Sequence, residues 1–148
     1  EGRSKKVLKV PIEESLLNIE LNKDGQSHPF YKNKNKRFNT PAFNFDEVVT
    51  LPQNSVLLAS NQINKIQSLN FKIGNCDIWG LQYHPEISYK KMINILRFRK
   101  KKFLRNAVFK SENELNIHIE KIKLEDKKIE KTSRMRELEN WLKNLDLE

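Results

Sequence analysis

An imidazole and a carboxylate stand two residues apart across a proline in the run Trp79-Gly80-Leu81-Gln82-Tyr83-His84-Pro85-Glu86-Ile87. These residue types can act as a base and its orienter. A carboxylate that accepts a hydrogen bond from one ring nitrogen fixes the tautomer and leaves the other nitrogen to take a proton from a nucleophile, which is the logic of a nucleophile–His–acid triad. The contacts such chemistry needs are roughly 2.6–3.2 Å. Read as an isolated tripeptide, His-Pro-Glu is more simply a strand-end histidine, a turn proline and a surface charge, because short motifs recur by chance. His28, beside Pro29, and His118 have no partners at metal-ligand spacing and read as structural or exposed. The basic cluster from Arg97 to Arg105 matches no nucleic-acid-binding signature and reads as a solvated helix face. No glycine-rich phosphate cradle is present, so nothing supports nucleotide use.

The elements that must position His84 and Glu86 follow from periodicity. Leu17, Ile19 and Leu21 alternate with Asn18 and Glu20 as a half-buried strand, and Asp24-Gly25 turns it. Residues 31–37 have too little apolar content to be buried and read as a solvated loop or hairpin tip. Ala42-Phe43-Asn44-Phe45 alternates again. Residues 55–60 form a compact apolar run that predicts a buried strand, and residues 66–83 alternate on both sides of Gly74-Asn75 as a β-hairpin. Pro85 ends strand character and Ser88 is placed to cap a helix bearing Met92, Ile95, Leu96, Phe103 and Leu104. This strand–loop–helix arrangement puts the imidazole at the carboxyl end of a strand, where open α/β sheets place their ligands. Beyond about Asn106 come two amphipathic helices, one with Leu115, Ile119 and Ile122, the other from about Arg134 to Leu145 with Met135, Leu138, Trp141, Leu142 and Leu145.

The 148 residues suit one domain, hardly two. The formal charge is +9, yet 21 of the 28 basic residues are Lys, Asn occurs 17 times and Ala three, a skew toward A/T-rich codons that inflates Lys without any binding role. Nowhere do 18 apolar residues run together and no basic-then-apolar leader opens the chain, which argues against a membrane span or a retained secretion signal. The single cysteine, Cys76, excludes an internal disulfide framework and makes a reducing cytoplasm the default. Glu1 in place of Met reads as a processed chain or a fragment of a longer reading frame.

The string at 79–86 resembles the W-G-x-Q-[FY]-H-P-E signature of class I glutamine amidotransferases. Asp46-Glu47-Val48, Leu51-Pro52 and Leu57-Leu58-Ala59-Ser60-Asn61 look like the D-E-V, L-P and L-A-S-N positions of the stand-alone, GMP-synthase-like branch. Gly2-Arg3, Gly25 with His28-Pro29, and residues 136–142 look like its hairpin and its C-terminal helix. The resemblance covers nearly the whole chain. It implies an α/β fold, the C-terminal portion of a flavodoxin-like amidotransferase domain (residues 1–105) with a β-hairpin, followed by a helical tail (106–148). It implies glutamine as substrate, a synthase or ammonia-acceptor partner, His84 as general base and acid, Glu86 as its orienter, and no metal or organic cofactor.

Two departures stand out. The family's nucleophile is a cysteine in a G-x-C-x-G-x-Q elbow, and no such string occurs here. Cys76 cannot replace it, because it lies beside the hairpin turn and the strand from there to His84 spans roughly 25 Å at about 3.3 Å per residue. Asn44 stands where the family often has histidine, and an amide does not titrate near neutrality. The expectation is therefore an amidotransferase present as a fragment without its nucleophile, inactive alone. The alternatives are a catalytically dead remnant that docks to a synthase through its apolar helical stripes, and a basic nucleic-acid-binding module.

Overall fold

The computed structural model describes residues 3–6, 17–42, 46–129 and 131–145. Strand β2 (Leu17–Leu21) is central to the architecture. It pairs antiparallel with β3 (Arg37–Thr40) on one side and with β5 (Val56–Ser60) on the other. The sheet continues through β6 (Ser68–Ile73) to β7 (Cys76–Leu81) in the order β3-β2-β5-β6-β7. A separate two-stranded ribbon joins β1 (Arg3–Lys6) to β4 (Asp46–Thr50). The mixed α/β class expected from the sequence is what forms; every strand pair among the described residues is antiparallel, so no parallel layer lies within them.

The alternation in Leu17–Leu21 buries Ile19 and Leu21, and the apolar run of β5 buries Leu58 and Ala59 beside them. Phe30, Tyr31, Ala42 and Tyr83 complete this core, with Phe38, Trp79 and Leu81 packed against it. The β6–β7 hairpin turns on Gly74, whose φ of +57° is the left-handed conformation that a two-residue turn requires and glycine adopts freely. Cys76 is the first residue of β7, beside the hairpin turn as the sequence places it, and is exposed.

A second core is helical. Helix α2 (Tyr89–Phe98) starts at Ser88, whose hydroxyl accepts from Lys91 N at 3.1 Å, as the sequence predicts. It stops at Arg99, and α3 (Lys100–Arg105) follows as a separate piece, where the sequence reads as one continuous helix. Phe98 is 90% exposed at that break. Tyr89, Met92, Ile93 and Leu96 of α2 pack with Phe103, Phe109 and the Leu115, Ile119 and Ile122 stripe of α4 (Glu112–Asp126). One core thus joins residues on both sides of position 106.

Two local readings need correction. Asp24-Gly25 is not a simple turn but lies within a short helix, α1 (Lys23–Ser27), capped by Asn22. Gly25 is required there, because a Cβ would sit 2.1 Å from the Leu58 carbonyl oxygen. Residues 31–37 are not uniformly solvated: Tyr31 ends a 3-10 turn (Pro29–Tyr31) and is buried, and the Lys34 side chain is 3% exposed. Phe43, Asn44 and Phe45, including the position where the family often has histidine, lie outside the described residues.

Candidate active site

Strand β7 delivers its chain directly into the His-Pro-Glu loop. The backbone N–H of Gln82 still donates to Gln67 O at 2.9 Å, extending the hairpin ladder by a step, and the N–H of His84 then donates to Pro41 O at 2.9 Å. Ile87 N donates to His84 O at 3.1 Å, which closes a turn around the proline. Pro85 fixes φ and carries no N–H, so no donor needs a partner at that position of the turn.

Within this turn His84 Nδ1 and Glu86 Oε1 approach to 2.8 Å, with side chains 36% and 54% exposed. That distance is a charge-assisted hydrogen bond. A proton on Nδ1 satisfies the carboxylate and leaves Nε2 as the ring's acceptor, the arrangement required of a base held in one tautomer. The two residues singled out by type and spacing are therefore brought together.

The surroundings of this pair extend beyond the local motif. Tyr83 points the opposite way along the chain, into the sheet core, and its hydroxyl donates to Glu137 Oε1 at 2.8 Å and lies 2.9 Å from the Tyr31 hydroxyl. Burial raises both phenols well above the ordinary tyrosine range. Glu137, 0% exposed, also takes Lys34 Nζ at 2.8 Å. Lys34 further donates to Ser133 O at 2.7 Å and rests 4.2 Å from the centre of the Phe38 ring. Burial lowers the Lys34 pKa, with Glu137 opposing that shift. The Arg134 guanidinium donates to the carbonyl oxygen of Pro85 itself. Arg134 ends α5 (Lys131–Arg134) and Glu137 lies in the first turn of α6 (Arg136–Leu145). The sequence offers no cue to these contacts, since they join positions 49 to 103 residues apart.

The other residues with chemical potential have different roles. His28 caps the 3-10 turn, accepting from Phe30 N at 3.2 Å, and stands edge-on to Trp79 with ring centres 4.8 Å apart. Its pKa is lowered by burial, with Asp77 acting in opposition. His118 is buried in the helical core beside Phe109, and burial lowers its pKa to about 4. Cys76 opens the strand at whose other end His84 follows, so the exposed thiol and the imidazole are separated by the length of β7. No group of three or more His, Cys, Asp or Glu suited to a metal ion occurs among the described residues. Among them, no helix is long and apolar enough to cross a membrane.

No protein-family model matches the chain. A glutamine amidotransferase from Thermotoga maritima superposes with a TM-score of 0.65 at 16% identity, over 93% of this chain and 53% of that one. The fold is that of part of a class I glutamine amidotransferase domain. A glutamine amidotransferase from Methylobacillus flagellatus gives a TM-score of 0.57 at 10% identity, over 94% and 56% of the two chains. The chain thus spans about half the length of each of these amidotransferase structures. Among curated proteins, a gamma-glutamyl-L-1-hydroxyisopropylamide hydrolase from Pseudomonas is 33% identical over 95 residues, 64% of this chain and 32% of that protein.

Proposed function

We propose that these residues supply the base half of an amidase acting on γ-glutamyl amides, with glutamine as the substrate. The observation that carries this reading is the 2.8 Å pairing of His84 Nδ1 with Glu86 Oε1 in the loop that follows β7. Its support is the amidotransferase fold, together with the curated relative, whose name specifies cleavage of a γ-glutamyl amide. Glutamine is the simplest such amide, its leaving group being ammonia.

In the reaction a thiolate attacks the side-chain amide carbon of glutamine. His84, protonated by accepting the thiol proton, returns it to the departing nitrogen and ammonia leaves. His84 then takes a proton from water as the water attacks the glutamyl thioester, and gives that proton to the sulfur as glutamate is released. Glu86 keeps the ring in one tautomer and stabilises the imidazolium each time it forms. The thiol belongs to a cysteine outside these 148 residues; alone, the chain is inactive. The released ammonia passes to a synthase partner in the cytoplasm.

A docking remnant without catalysis is the second reading, and one observation favours it. Trp141, Leu142 and Leu145 on the stripe of α6 are 40%, 54% and 53% exposed. The test is glutamine hydrolysis by the complete protein. His84→Ala is expected to lower kcat roughly 10²–10⁴-fold with the melting temperature unchanged, and Cys76→Ser to leave kcat as it was. Near wild-type hydrolysis by His84→Ala refutes the base assignment, and a collapse in Cys76→Ser refutes the placement of the nucleophile elsewhere.

A further inference from the structure

We infer that the α5–α6 segment is the positioning brace of the His84–Glu86 pair, and that Arg134 is the residue that sets the pair's alignment through the Pro85 carbonyl. The inference rests on the reading of His84 as the base. Three consecutive residues of the loop are held from outside it. Tyr83 is held at its hydroxyl by Glu137, His84 at its backbone N–H by Pro41 O, and Pro85 at its carbonyl by Arg134. Two of these three holds come from residues 133–137, which reach neither the imidazole nor the carboxylate among the contacts described.

The Arg134 contact has the greatest leverage. Pro85 is buried between the two functional residues, so the plane of its peptide carbonyl determines the direction in which the chain presents Glu86 to His84. Pro85 has no N–H, and its carbonyl oxygen is the one polar backbone atom by which the proline can be fixed. A guanidinium is suited to that task because it is always charged and its planar fork donates along a fixed direction. Glu137 acts two residues earlier, at Tyr83, and is itself held by Lys34, so the brace is tied to the sheet core. Arg134 also lines a cleft of ≈ 340 Å³ bounded by Lys34, Phe38, Glu125 and Ile129, so its truncation enlarges an existing space rather than opening a sealed void.

The test uses the complete protein. Arg134→Ala is expected to lower kcat for glutamine hydrolysis about 10- to 100-fold while KM changes little, because a base displaced by a fraction of an ångström loses transition-state contacts but not substrate binding. Arg134→Lys, which keeps an N–H donor, is expected to recover most of the loss. Nitrogen-15 spectra of the His84 ring are expected to show one tautomer protonated at Nδ1 in the wild type and a mixture in Arg134→Ala. A kcat for Arg134→Ala within about twofold of wild type overturns the inference. So does a loss of kcat that leaves the ring spectrum unchanged, since Arg134 would then act elsewhere. If Arg134→Ala fails to fold, Arg134→Met, which keeps the apolar stem but no donor, is assayed below its melting temperature, and wild-type kcat and spectrum in that variant overturn it equally. Hydrolysis retained by His84→Ala rejects the base assignment beneath the inference, whereas loss in His84→Ala with wild-type behaviour in Arg134→Ala rejects the brace alone.

Discussion

At the scale of single residues, the two imidazoles at 84 and 118 show how far environment separates groups of one type. His84 is partly exposed and paired with a carboxylate, whereas His118 is 4% exposed and driven toward its neutral form by burial, with Lys121 acting in the same direction and Glu114 against it. A histidine whose pKa is about 4 when folded and near 6.5 when unfolded binds its proton preferentially in the unfolded chain between those values. Its contribution to stability is therefore complete above pH 6.5 and is lost as pH falls toward 4, a loss on the order of 3 kcal/mol. Urea unfolding midpoints at pH 7 and pH 4.5 should differ markedly in the wild type and by much less in His118→Leu. Equal differences in the two proteins would show that His118 does not govern acid sensitivity. His84 and Glu86 are singled out in the sequence by the longer string from Trp79 to Glu86, since the His-Pro-Glu tripeptide alone reads as a strand end and a turn. Arg134 is not, because a long-range hydrogen bond to a carbonyl leaves no periodic trace.

At the scale of elements, legibility followed local signals. The alternation of β2, the apolar run of β5, the glycine turn between β6 and β7 and the serine cap of α2 are each written within a few residues. Strands β1 and β4 carry no such pattern and pair with each other across about 40 positions, so no local signal marks them. The break between α2 and α3 leaves no mark in the sequence, because the apolar spacing continues through it. The end of α3 is more instructive. Ala107 N donates to Leu104 O at 3.1 Å and Val108 N to Phe103 O at 2.9 Å, while Ala107 adopts φ +54°. This is a Schellman ending with alanine where glycine is favoured, completed by Phe103 and Val108 in one core. Ala107→Gly should stabilise the protein by about 0.5–1 kcal/mol, because the left-handed conformation is costly for any residue with a Cβ. The check is the melting temperature, and an unchanged or lower value would mean that alanine is unstrained there.

At the scale of the whole molecule, the sheet core and the helical core meet at the His-Pro-Glu loop, and the buried Lys34–Glu137 pair ties the C-terminal helix to the sheet side of that junction. Composition could not reveal this, since Lys34 sits in a strongly polar run of the chain and meets Glu137 only 103 residues later. Removing one partner leaves an uncompensated charge where water is excluded. Lys34→Met or Glu137→Leu alone should therefore cost about 3–5 kcal/mol, whereas the two combined should cost far less. Denaturant unfolding of the two single mutants and the double mutant measures the difference, and additive losses would show that the pair is not coupled. The hairpin tip has a practical consequence of its own. With one thiol in 148 residues, exposed at the outer end of the strand that leads to the imidazole, a maleimide dye or nitroxide will attach to Cys76 alone. A label there is anchored a strand's length from the loop at 84–86, so the hairpin tip can serve as one end of a distance ruler whose other end is placed anywhere on the described helices.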